Sequence, residues 1–402
     1  MTLLARGAET RLRACDLCGS ISPCGVCERM GRGGWVRVAV CTERAAWDDF
    51  VTHAGGGLLQ SWRWGELRRR QGWTVLRLVA VQGTEPRAAV QVLARAVPVA
   101  GAFFYAAEGP VLPAADWASG ADALSPLFHE ARRRGRALGA LTLRVDPLTG
   151  AAGARDTLAS LGLRRSPENV QPAATAVVDL DRTEEQLLAG LDRGARYLLR
   201  YARRKGVVIR PGAAADIAPL AHMIEETGQR KGFGTRNETY LRELDRALDI
   251  AASGHFFVAE IVGETVASML AAPYGPRYFA LYAAGNAVGR KVGAQYLIHW
   301  EAILHARRLG LRSYDFRGIG AAGDPSDHWA GLTFFKKRFG TRREELPGAW
   351  DDVYRPLAYR SFLLAQQARR DLPVRLRALR SREDARTGDT ERMAVNGDGI
   401  GA

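Results

Sequence analysis

The fold assignment depends on two stretches, Tyr314-Asp315-Phe316-Arg317-Gly318-Ile319 and Gly331-Leu332-Thr333-Phe334-Phe335-Lys336-Lys337-Arg338-Phe339-Gly340. The first predicts a strand that ends in Asp-Phe-Arg-Gly. The second follows a Gly-rich loop and predicts a helix with a lysine among aromatic residues. All three phenylalanines of the second stretch are expected in a core. Lys336 is therefore expected at the edge of a partly dry site, where a positive charge acts more strongly than in water. The alternative is a surface lysine on an amphipathic helix.

Upstream of these stretches, the order of predicted elements indicates an α/β unit that begins near residue 175. Its predicted strands cover 177–180, 207–210, 256–262, 265–272, 278–283 and 312–316. Its predicted helices cover 222–230, 240–248 and 295–309. A basic helix is also expected after Thr183 and Gln186, which have the spacing of a capping box. The apolar face of that helix is predicted to consist of Leu187, Leu191, Ala195, Leu198 and Ala202.

An earlier unit shows a similar alternation of strands and helices. Strands are predicted at 35–40, 74–81, 88–96 and 141–145, and helices at 62–70 and 126–138. Gly139 follows the second helix, and glycine is a common helix stop. A chain of 402 residues exceeds the size at which a single core usually stops growing, so about two domains are expected.

Composition and charge narrow the class of protein. Apolar residues make up 47% and charged residues 25%, as in ordinary globular proteins. The chain has 57 lysines and arginines against 43 acidic residues, which gives a net charge of +14. This excess favours polyanionic partners, namely RNA, a nucleotide-linked substrate or an anionic membrane surface. The alternative is a basic protein from an arginine-rich proteome.

The sequence shows no pattern of a membrane span or a signal peptide. Its longest apolar stretch, 88–115, is interrupted by charged residues and three prolines. The N-terminus has charges early and no continuous apolar region after them. A cytoplasmic protein is expected, with peripheral contact to the inner face of the membrane as an added expectation. Residues 379–402 are polar, charged and Gly-rich, and are expected to be disordered.

Residues 1–30 contain a C-x2-C-x5-C-x2-C pattern formed by Cys15, Cys18, Cys24 and Cys27. Paired C-x2-C knuckles match tetrahedral zinc ligation, so one interpretation is a structural zinc site. The other is that translation starts at Met30, which would leave the cysteines outside the protein. No other metal or cofactor is expected, since His299 and His305 do not have the i, i+4 spacing of a helical ligand pair.

Six motifs resemble, in order, those of the Fem family (FemABX-type) of peptidoglycan-bridge aminoacyltransferases. The first is Gln60-Ser61-Trp62-Arg63-Trp64-Gly65-Glu66-Leu67-Arg68, followed by Gln71-Gly72-Trp73. The second is the basic helix 194–206, which ends in Lys-Gly. The others are Tyr282-Ala283-Ala284-Gly285-Asn286, the helix 295–303 and the two stretches quoted at the outset. Together they cover roughly residues 59–359.

The resemblance implies two tandem GNAT-like acyltransferase domains with mixed, mostly antiparallel sheets. Domain 1 is expected over 31–174 plus 348–378, because the family's final segment returns to it. Domain 2 is expected over 175–347. The stretch 244–255 is too short to hold a coiled-coil arm, so the chain resembles the armless branch of the family.

The resemblance implies aminolysis of an ester. The amine of a peptidoglycan stem peptide would attack the carbonyl of an aminoacyl-tRNA and form an interpeptide bridge. The implied partners are an aminoacyl-tRNA and a UDP-linked or lipid-linked peptidoglycan precursor, with the protein acting as a monomer. Such an ester is already reactive, so the absence of a G-x-S-x-G nucleophile motif fits the reaction. The enzyme must orient both substrates and stabilise an oxyanion.

The resemblance also implies roles for individual residues. Lys336 is the expected cation near the reacting carbonyl or the tRNA end, and Asp315 is either the proton acceptor or a structural carboxylate. The residues implied to bind the precursor are Trp64, Arg68, Arg230 and Tyr282. Arg68 stands where the family usually has a lysine that contacts phosphates; the alternative is a solvated run of arginines. An acid expected shortly after Glu108-Gly109-Pro110 is absent at the usual spacing, which puts a catalytic aspartate from that loop in doubt.

The basic helix is the candidate for contact with the tRNA backbone, with a solvated helix face as the alternative. Tyr197 and Tyr201 lie between its basic residues, which are Arg193, Arg196, Arg200, Arg203 and Arg204.

Three alternatives to peptidoglycan-bridge transfer stay open. An acyl-CoA-dependent transferase of the same fold would bind pyrophosphate through an Arg-x-x-Gly-x-Gly/Ala loop, which Arg290-Lys291-Val292-Gly293-Ala294-Gln295 begins but does not complete. An RNA-binding module would explain the charge but not the motifs around Asp315 and Lys336. An aminoacyl-tRNA-dependent transferase of secondary metabolism would use the same chemistry on another amine.

Overall fold

The computed structural model describes residues 36–97, 101–232, 234–320, 329–365 and 367. Within these residues the chain forms two seven-stranded sheets, one in each half, with helices packed against them. Each sheet contains one parallel pair among the described strands, and its other pairs are antiparallel. This arrangement confirms the expected α/β fold of two GNAT-like units.

The first sheet consists of β1 (Val36–Val40), β2 (Thr74–Gln82), β3 (Glu85–Val97), β4 (Gly101–Glu108), β5 (Ala140–Pro147), β6 (Arg164–Arg165) and β14 (Trp350–Val353). Its strand order is β1-β2-β3-β4-β5-β14-β6. The helices of this half are α1 (Arg44–His53), α2 (Trp62–Arg70), α3 (Ala121–Ala137), α4 (Ala154–Ser160) and α12 (356–365). Strand β14 comes from the far end of the chain and lies between β5 and β6, with Trp350 opposite Val145.

The second sheet consists of β7 (Ala174–Asp179), β8 (Val208–Pro211), β9 (Phe256–Ile261), β10 (Glu264–Tyr274), β11 (Arg277–Gly285), β12 (Ser313–Gly318) and β13 (Arg342–Glu345). Its strand order is β13-β7-β12-β11-β10-β9-β8. The helices of this half are α5 (Glu184–Gly190), α6 (Arg193–Arg204), α7 (Ile217–Lys231), α8 (Glu238–Leu248), α9 (Ala287–Val292), α10 (Ala294–Arg308) and α11 (Ala330–Lys337).

The predicted single basic helix is two helices, α5 and α6. The capping box of Thr183 and Gln186 starts α5 as predicted. The backbone of Leu191 is then extended, and the side chain of Asp192 accepts a hydrogen bond from the N–H of Ala195 to start α6. Because α6 starts at Arg193, its apolar face differs from the predicted one. Leu199 is buried, whereas Leu198 was expected to be.

Helix α3 also differs from the prediction, since it begins at Ala121 rather than at Pro126. Proline lacks a backbone N–H and usually stays in the first turn of a helix. The additional residues place Leu124 in the core of the first half, together with Leu127 and Phe128. Burial of these side chains outweighs the hydrogen bond that the proline cannot make.

The two halves share an apolar core. One buried cluster joins Leu58 and Leu67 of the first half to Leu241 and Leu244 of α8 in the second half. Polar contacts cross the same boundary; for example, the hydroxyl of Tyr274 donates to Asp48 at 2.8 Å. Side chains of both halves can therefore contribute to one site.

Strands β11 and β12 separate along their length. They pair in parallel only from Arg277 opposite Ser313 to Phe279 opposite Asp315. Beyond that point β11 continues alongside β10, whereas Gly318 of β12 lies opposite Thr175 of β7. The gap that opens between β11 and β12 faces the first half of the chain and is the centre of the site described below.

Among the described helices, none combines the length and the apolar composition needed to cross a bilayer.

Candidate active site

Lys336 lies in the last turn of α11 with only 6% of its surface exposed. Its Nζ donates a hydrogen bond to the backbone carbonyl oxygen of Gly318, the last residue of β12, at a distance of 2.7 Å. Burial lowers the pKa of Lys336 to about 7, although the nearby carboxylate of Asp315 acts in the opposite direction. This position agrees with the expectation of a lysine in a partly dry site.

The expected burial of all three phenylalanines around Lys336 is wrong for one of them. Phe334 is 64% exposed, and the guanidinium of Arg338 lies 5.5 Å from its ring. Phe335 is half-buried and Phe339 is buried. The helical period explains the difference, because Thr333 and Lys336 are three residues apart in α11 and both face inward, which turns Phe334 toward solvent.

Asp315 is fully buried in β12, and both of its carboxylate oxygens have partners. Its Oδ1 accepts hydrogen bonds from the backbone N–H of Arg317, at 2.6 Å, and from the hydroxyl of Thr175. Its Oδ2 accepts from Nη1 of Arg277 at 3.1 Å. These contacts support the structural alternative for Asp315, because neither oxygen is open to a substrate.

Arg317 and Glu108 form an ion pair between the two halves that the motifs did not indicate. Nη1 of Arg317 donates to Oε1 of Glu108 at 2.5 Å. The other carboxylate oxygen of Glu108 accepts from the backbone N–H of Leu59 at 2.8 Å. A Cβ at Gly57 would lie only 2.0 Å from that oxygen, so the loop before Leu59 requires glycine there. The pair therefore lies in a closely packed environment.

Asp146, at the end of β5, is a second buried carboxylate that sequence reasoning missed. It accepts hydrogen bonds from the hydroxyl of Tyr105 at 2.8 Å, from the backbone N–H of Glu108 at 2.9 Å and from that of Gln171 at 3.3 Å. Burial raises the pKa of Asp146 to about 7, against the effect of these hydrogen bonds. Its place at the carboxyl end of a parallel strand pair was the available signal.

Arg68 lies at the C-terminal end of α2, where the hydroxyl of Ser61 caps the other end of the helix. Its guanidinium stacks 4.9 Å from the ring of Trp73 and 5.7 Å from that of Trp64, and Nη1 donates to Gln71 at 2.7 Å. The Nε of Arg68 and the Nε1 of Trp64 are buried with no partner among the described residues. Burial lowers the pKa of Arg68.

Two more arginines and a tyrosine complete this group, which we call the arginine–aromatic cluster: Trp64, Arg68, Trp73, Arg95, Arg236 and Tyr240. Arg95 lies 5.5 Å from the ring of Trp73, and Arg236 lies 5.0 Å from that of Tyr240. The cluster thus places three arginines around aromatic rings, and two of its buried N–H donors have no partner among the described residues. Such an arrangement indicates a site for an anionic ligand. The first of the six motifs includes Trp64, Arg68 and Trp73, whereas it gave no indication of Arg95, Arg236 or Tyr240.

Tyr282 connects this cluster to the gap between β11 and β12. It is half-buried on β11, and its ring meets that of Tyr240 edge to face, with 6.0 Å between the ring centres. Tyr282 also lies near enough to Arg317 for the two side chains to interact electrostatically. The structure thus brings Arg68, Tyr282, Lys336 and Arg317 to one region.

Arg230 lies apart from this region. It is exposed near the end of α7 and lines an open pocket of about 400 Å³ together with Glu226, Asn286 and Arg290. No member of the arginine–aromatic cluster lines that pocket. The structure therefore does not bring Arg230 into contact with the other predicted precursor-binding residues.

The loop that resembles a CoA-binding motif is engaged in internal contacts. Nη1 of Arg290 donates to the carbonyl oxygen of Gly285 at 2.6 Å. A Cβ at Gly293, at the start of α10, would lie 3.1 Å from the side chain of Leu198 in α6. Helix α6 therefore covers the helix start that a pyrophosphate would need. These contacts weigh against the acyl-CoA alternative.

The predicted tRNA-binding arginines of α6 differ in their surroundings. Arg196 donates to backbone carbonyls at the end of α5, and Arg203 pairs with Glu301 at 3.1 Å. Arg204 lies 5.9 Å from the ring of Tyr201, which stacks on Tyr197. Arg200 is exposed. Arg200 and Arg204 are therefore the members of this set best placed to meet a phosphate backbone.

The cysteines of the predicted zinc knuckle, and Met30, lie outside the described residues. The part of the chain that the structure describes holds no group of three or more metal-ligating side chains. Cys41 is buried there as a free thiol.

The sequence matches a family model and is similar to proteins of known name. The FemAB family model matches residues 160–261 and 262–367. A Staphylococcus aureus protein, lipid II:glycine glycyltransferase, is 26% identical over 226 residues, which are 53% of this chain and 53% of that protein. The chain thus spans about half the length of the curated relatives it matches.

Two solved structures resemble the fold. FemX superposes with a TM-score of 0.72 at 21% identity, over 81% of this chain and 99% of that one. L-PGS from Bacillus licheniformis superposes with a TM-score of 0.50 at 14% identity, over 78% of this chain and 92% of that one. At these identities the likeness concerns the fold alone.

Proposed function

The chain belongs to the FemAB family, and on that premise we propose that it is an aminoacyltransferase that extends a peptidoglycan bridge. The donor is an aminoacyl-tRNA, and the acceptor is the amine of a peptidoglycan-precursor stem peptide. The name of the Staphylococcus aureus relative, a lipid II:glycine glycyltransferase, supports a peptidoglycan precursor as acceptor. The reaction forms an amide bond and releases the ribose hydroxyl of the tRNA.

One observation carries this proposal: a buried lysine lies beside a gap between two strands, and the arginine–aromatic cluster, to which both halves contribute, lies near the same gap. Lys336 places a charge where the protein excludes much of the water, so the charge acts strongly on a carbonyl that becomes an oxyanion. Among the described residues, the buried histidines hydrogen-bond to tyrosines or to another histidine and not to a cysteine or serine. Direct aminolysis of an ester requires no such nucleophile.

The arginine–aromatic cluster fits the acceptor. Peptidoglycan precursors carry a diphosphate, either next to a nucleoside or next to a lipid. Arg68 has a buried Nε without a partner among the described residues and stacks on Trp73. Arginine in such a setting can donate two hydrogen bonds to one phosphate. The stem peptide of a precursor held there would extend past Tyr282 toward Lys336.

The test is transfer of labelled amino acids from a mixed aminoacyl-tRNA pool to UDP-linked and to lipid-linked precursor, with and without ribonuclease. We expect one of the two precursors to be labelled, and we expect ribonuclease treatment before mixing to abolish the labelling. A matched reaction supplies acyl-CoA in place of tRNA. Labelling of an amine by acyl-CoA alone would overturn the proposal, as would labelling that ribonuclease does not affect.

Charge reversal on α6 tests the tRNA contact. The double variant Arg200→Glu/Arg204→Glu is expected to bind tRNA more weakly and with a shallower salt dependence. The slope of log K against log[salt] should fall by about 1 to 2, because each lost phosphate contact releases fewer counterions. The measurement is a binding titration at several salt concentrations.

The matched control for this titration is Arg136→Glu/Arg164→Glu, which reverses two exposed charges of the first half. It should leave the slope nearly unchanged. An equal slope for wild type and the α6 variant would remove α6 from the tRNA-binding surface.

A further inference from the structure

Arg317 occupies the point where β12 leaves β11. Its neighbour Asp315 makes the last pair between the two strands, opposite Phe279. The guanidinium of Arg317 lies 5.3 Å from the ring of Phe279 and contacts Glu108 of the first half. Its side chain therefore lies between β11, β12 and the first half, in the gap beside Lys336.

The contacts that Arg317 makes with described residues leave most of its N–H donors unused. The guanidinium has five N–H groups, and among the described residues one hydrogen bond uses them, from Nη1 to Glu108. None of its nitrogens is a buried atom without a partner, and 23% of the side chain is exposed. The exposed part of the Arg317 side chain is therefore accessible to a ligand. Lys336, in contrast, is 6% exposed and already donates to Gly318.

The backbone at this ion pair is strained. Glu108 has φ 56° and Arg317 has φ 65°, and both lie in the left-handed region, which side chains other than glycine rarely adopt. The described residues contain four non-glycine residues with positive φ, and two of them pair here with each other. Such strain persists where the surroundings hold a residue in place, and it clusters at functional sites. The hydrogen bonds of Glu108 to Arg317 and to the backbone of Leu59 are contacts that hold this pair in place.

We infer that Arg317 is a catalytic residue that binds the carbonyl oxygen of the donor ester, with Glu108 as its positioning residue. The inference rests on the proposed function. The acceptor amine attacks the carbonyl carbon and a C–N bond forms, while the carbonyl oxygen becomes an oxyanion held by the free N–H groups of Arg317. Collapse restores the C=O bond and breaks the bond to the ribose oxygen. That oxygen leaves as a hydroxyl with the proton that the amine gives up.

This role suits arginine at this position. A guanidinium stays charged at every pH at which the protein functions. The ring of Phe279 and the packed loop at Gly57 limit the water around it, so its hydrogen bonds to a developing negative charge are strong. The neighbouring backbone carbonyl of Gly318 holds Lys336, so two cations flank one segment of β12.

The test compares Arg317→Met with Arg63→Met in the transfer reaction. Arg63 also bridges the halves, through a hydrogen bond to the carbonyl oxygen of Leu248 at 3.0 Å, but it lies in α2. Arg317→Met is expected to lower kcat about 10²- to 10³-fold, with a much smaller change in KM for either substrate. Arg63→Met should keep kcat close to that of wild type. Melting temperatures of both variants identify any loss of folding.

Chemical rescue separates catalysis from a structural role. Guanidinium ion at non-denaturing concentration should restore part of the kcat of Arg317→Ala and none of the activity lost by other variants. Glu108→Gln, which keeps the shape of the side chain, should lower kcat less than Arg317→Met does. A wild-type kcat in Arg317→Met, or a loss of kcat in Arg317→Ala that guanidinium does not rescue, would overturn the role of Arg317 and leave the proposed function standing. A wild-type protein that transfers nothing from aminoacyl-tRNA would overturn the proposed function and the inference with it.

Discussion

Replacing Lys336 with methionine is expected to lower the rate of transfer about 10²- to 10³-fold, because the variant loses a charge in a partly dry site where a negative charge develops. Methionine occupies a similar volume, and a buried ammonium is costly to keep, so the fold should be retained. The carbonyl oxygen of Gly318 loses the hydrogen bond from Lys336. We expect this loss to change the rate much less than the loss of the charge does. The measurement is a single-turnover rate at saturating precursor, together with the melting temperature.

Lys337→Met is the matched control, since Lys337 is the next residue of the same helix and is exposed. Its rate should stay within about twofold of wild type, as expected for a surface substitution. A Lys336→Met variant that transfers as fast as Lys337→Met would show that Lys336 has no catalytic role.

We also expect the rate of transfer to depend on pH through Lys336. The pKa of Lys336 is lowered to about 7 by burial, so the ammonium is present below pH 7 and is lost as the pH rises above it. If the positive charge of Lys336 promotes transfer, the transfer rate of the wild-type protein falls above pH 7. The rate of Lys336→Met shows no such fall. A wild-type rate that rises through pH 7, with no such rise in Lys336→Met, would assign Lys336 the role of a base instead.

Replacing Asp315 with alanine is expected to have the largest effect on stability, a loss of about 3–5 kcal/mol in the free energy of unfolding. The change leaves Nη1 of Arg277 and the backbone N–H of Arg317 without their acceptor in a buried position. Arg277 retains Glu344, at 3.2 Å, which limits the loss. Urea-induced unfolding measures the difference.

The control for Asp315 is Asp179→Ala, on the neighbouring strand β7. Asp179 also pairs with an arginine, Arg342 at 3.0 Å, but 33% of the Asp179 side chain and 47% of the Arg342 side chain are exposed to water. Exposed ion pairs contribute about 0–1 kcal/mol, so this variant should unfold nearly as wild type does. Equal unfolding free energies for the two variants would contradict the structural role that we assign to Asp315.

Local sequence patterns were sufficient for most of the elements. The capping box at Thr183 starts α5, and the alternating runs predicted at 256–262 and 265–272 correspond to β9 (Phe256–Ile261) and β10 (Glu264–Tyr274). Strand β12 and helix α11, which contains Lys336, also follow each other in the predicted order. These features depend on residues a few positions apart, whose periodicity and capping chemistry are visible in the chain.

Prediction failed where neighbours in space decided the outcome. The break between α5 and α6 depends on Asp192, which both caps a helix and pairs with Arg338 at 2.8 Å. Phe334 is exposed because Thr333 and Lys336 take the inward positions of α11. Neither result follows from local hydrophobicity.

The sequence by itself determined the family, the α/β class and the two-unit organisation, because these follow from ordered motifs and from local periodicity. Only the tertiary structure decided which charges meet at the site. Glu108 and Arg317 are 209 residues apart in the chain, and their contact depends on how the first half packs against the gap between β11 and β12. The burial that lowers the pKa of Lys336 arises in the same way. Long-range packing sets both the partner and the dielectric environment of a charge, and neither is written in the residues next to it.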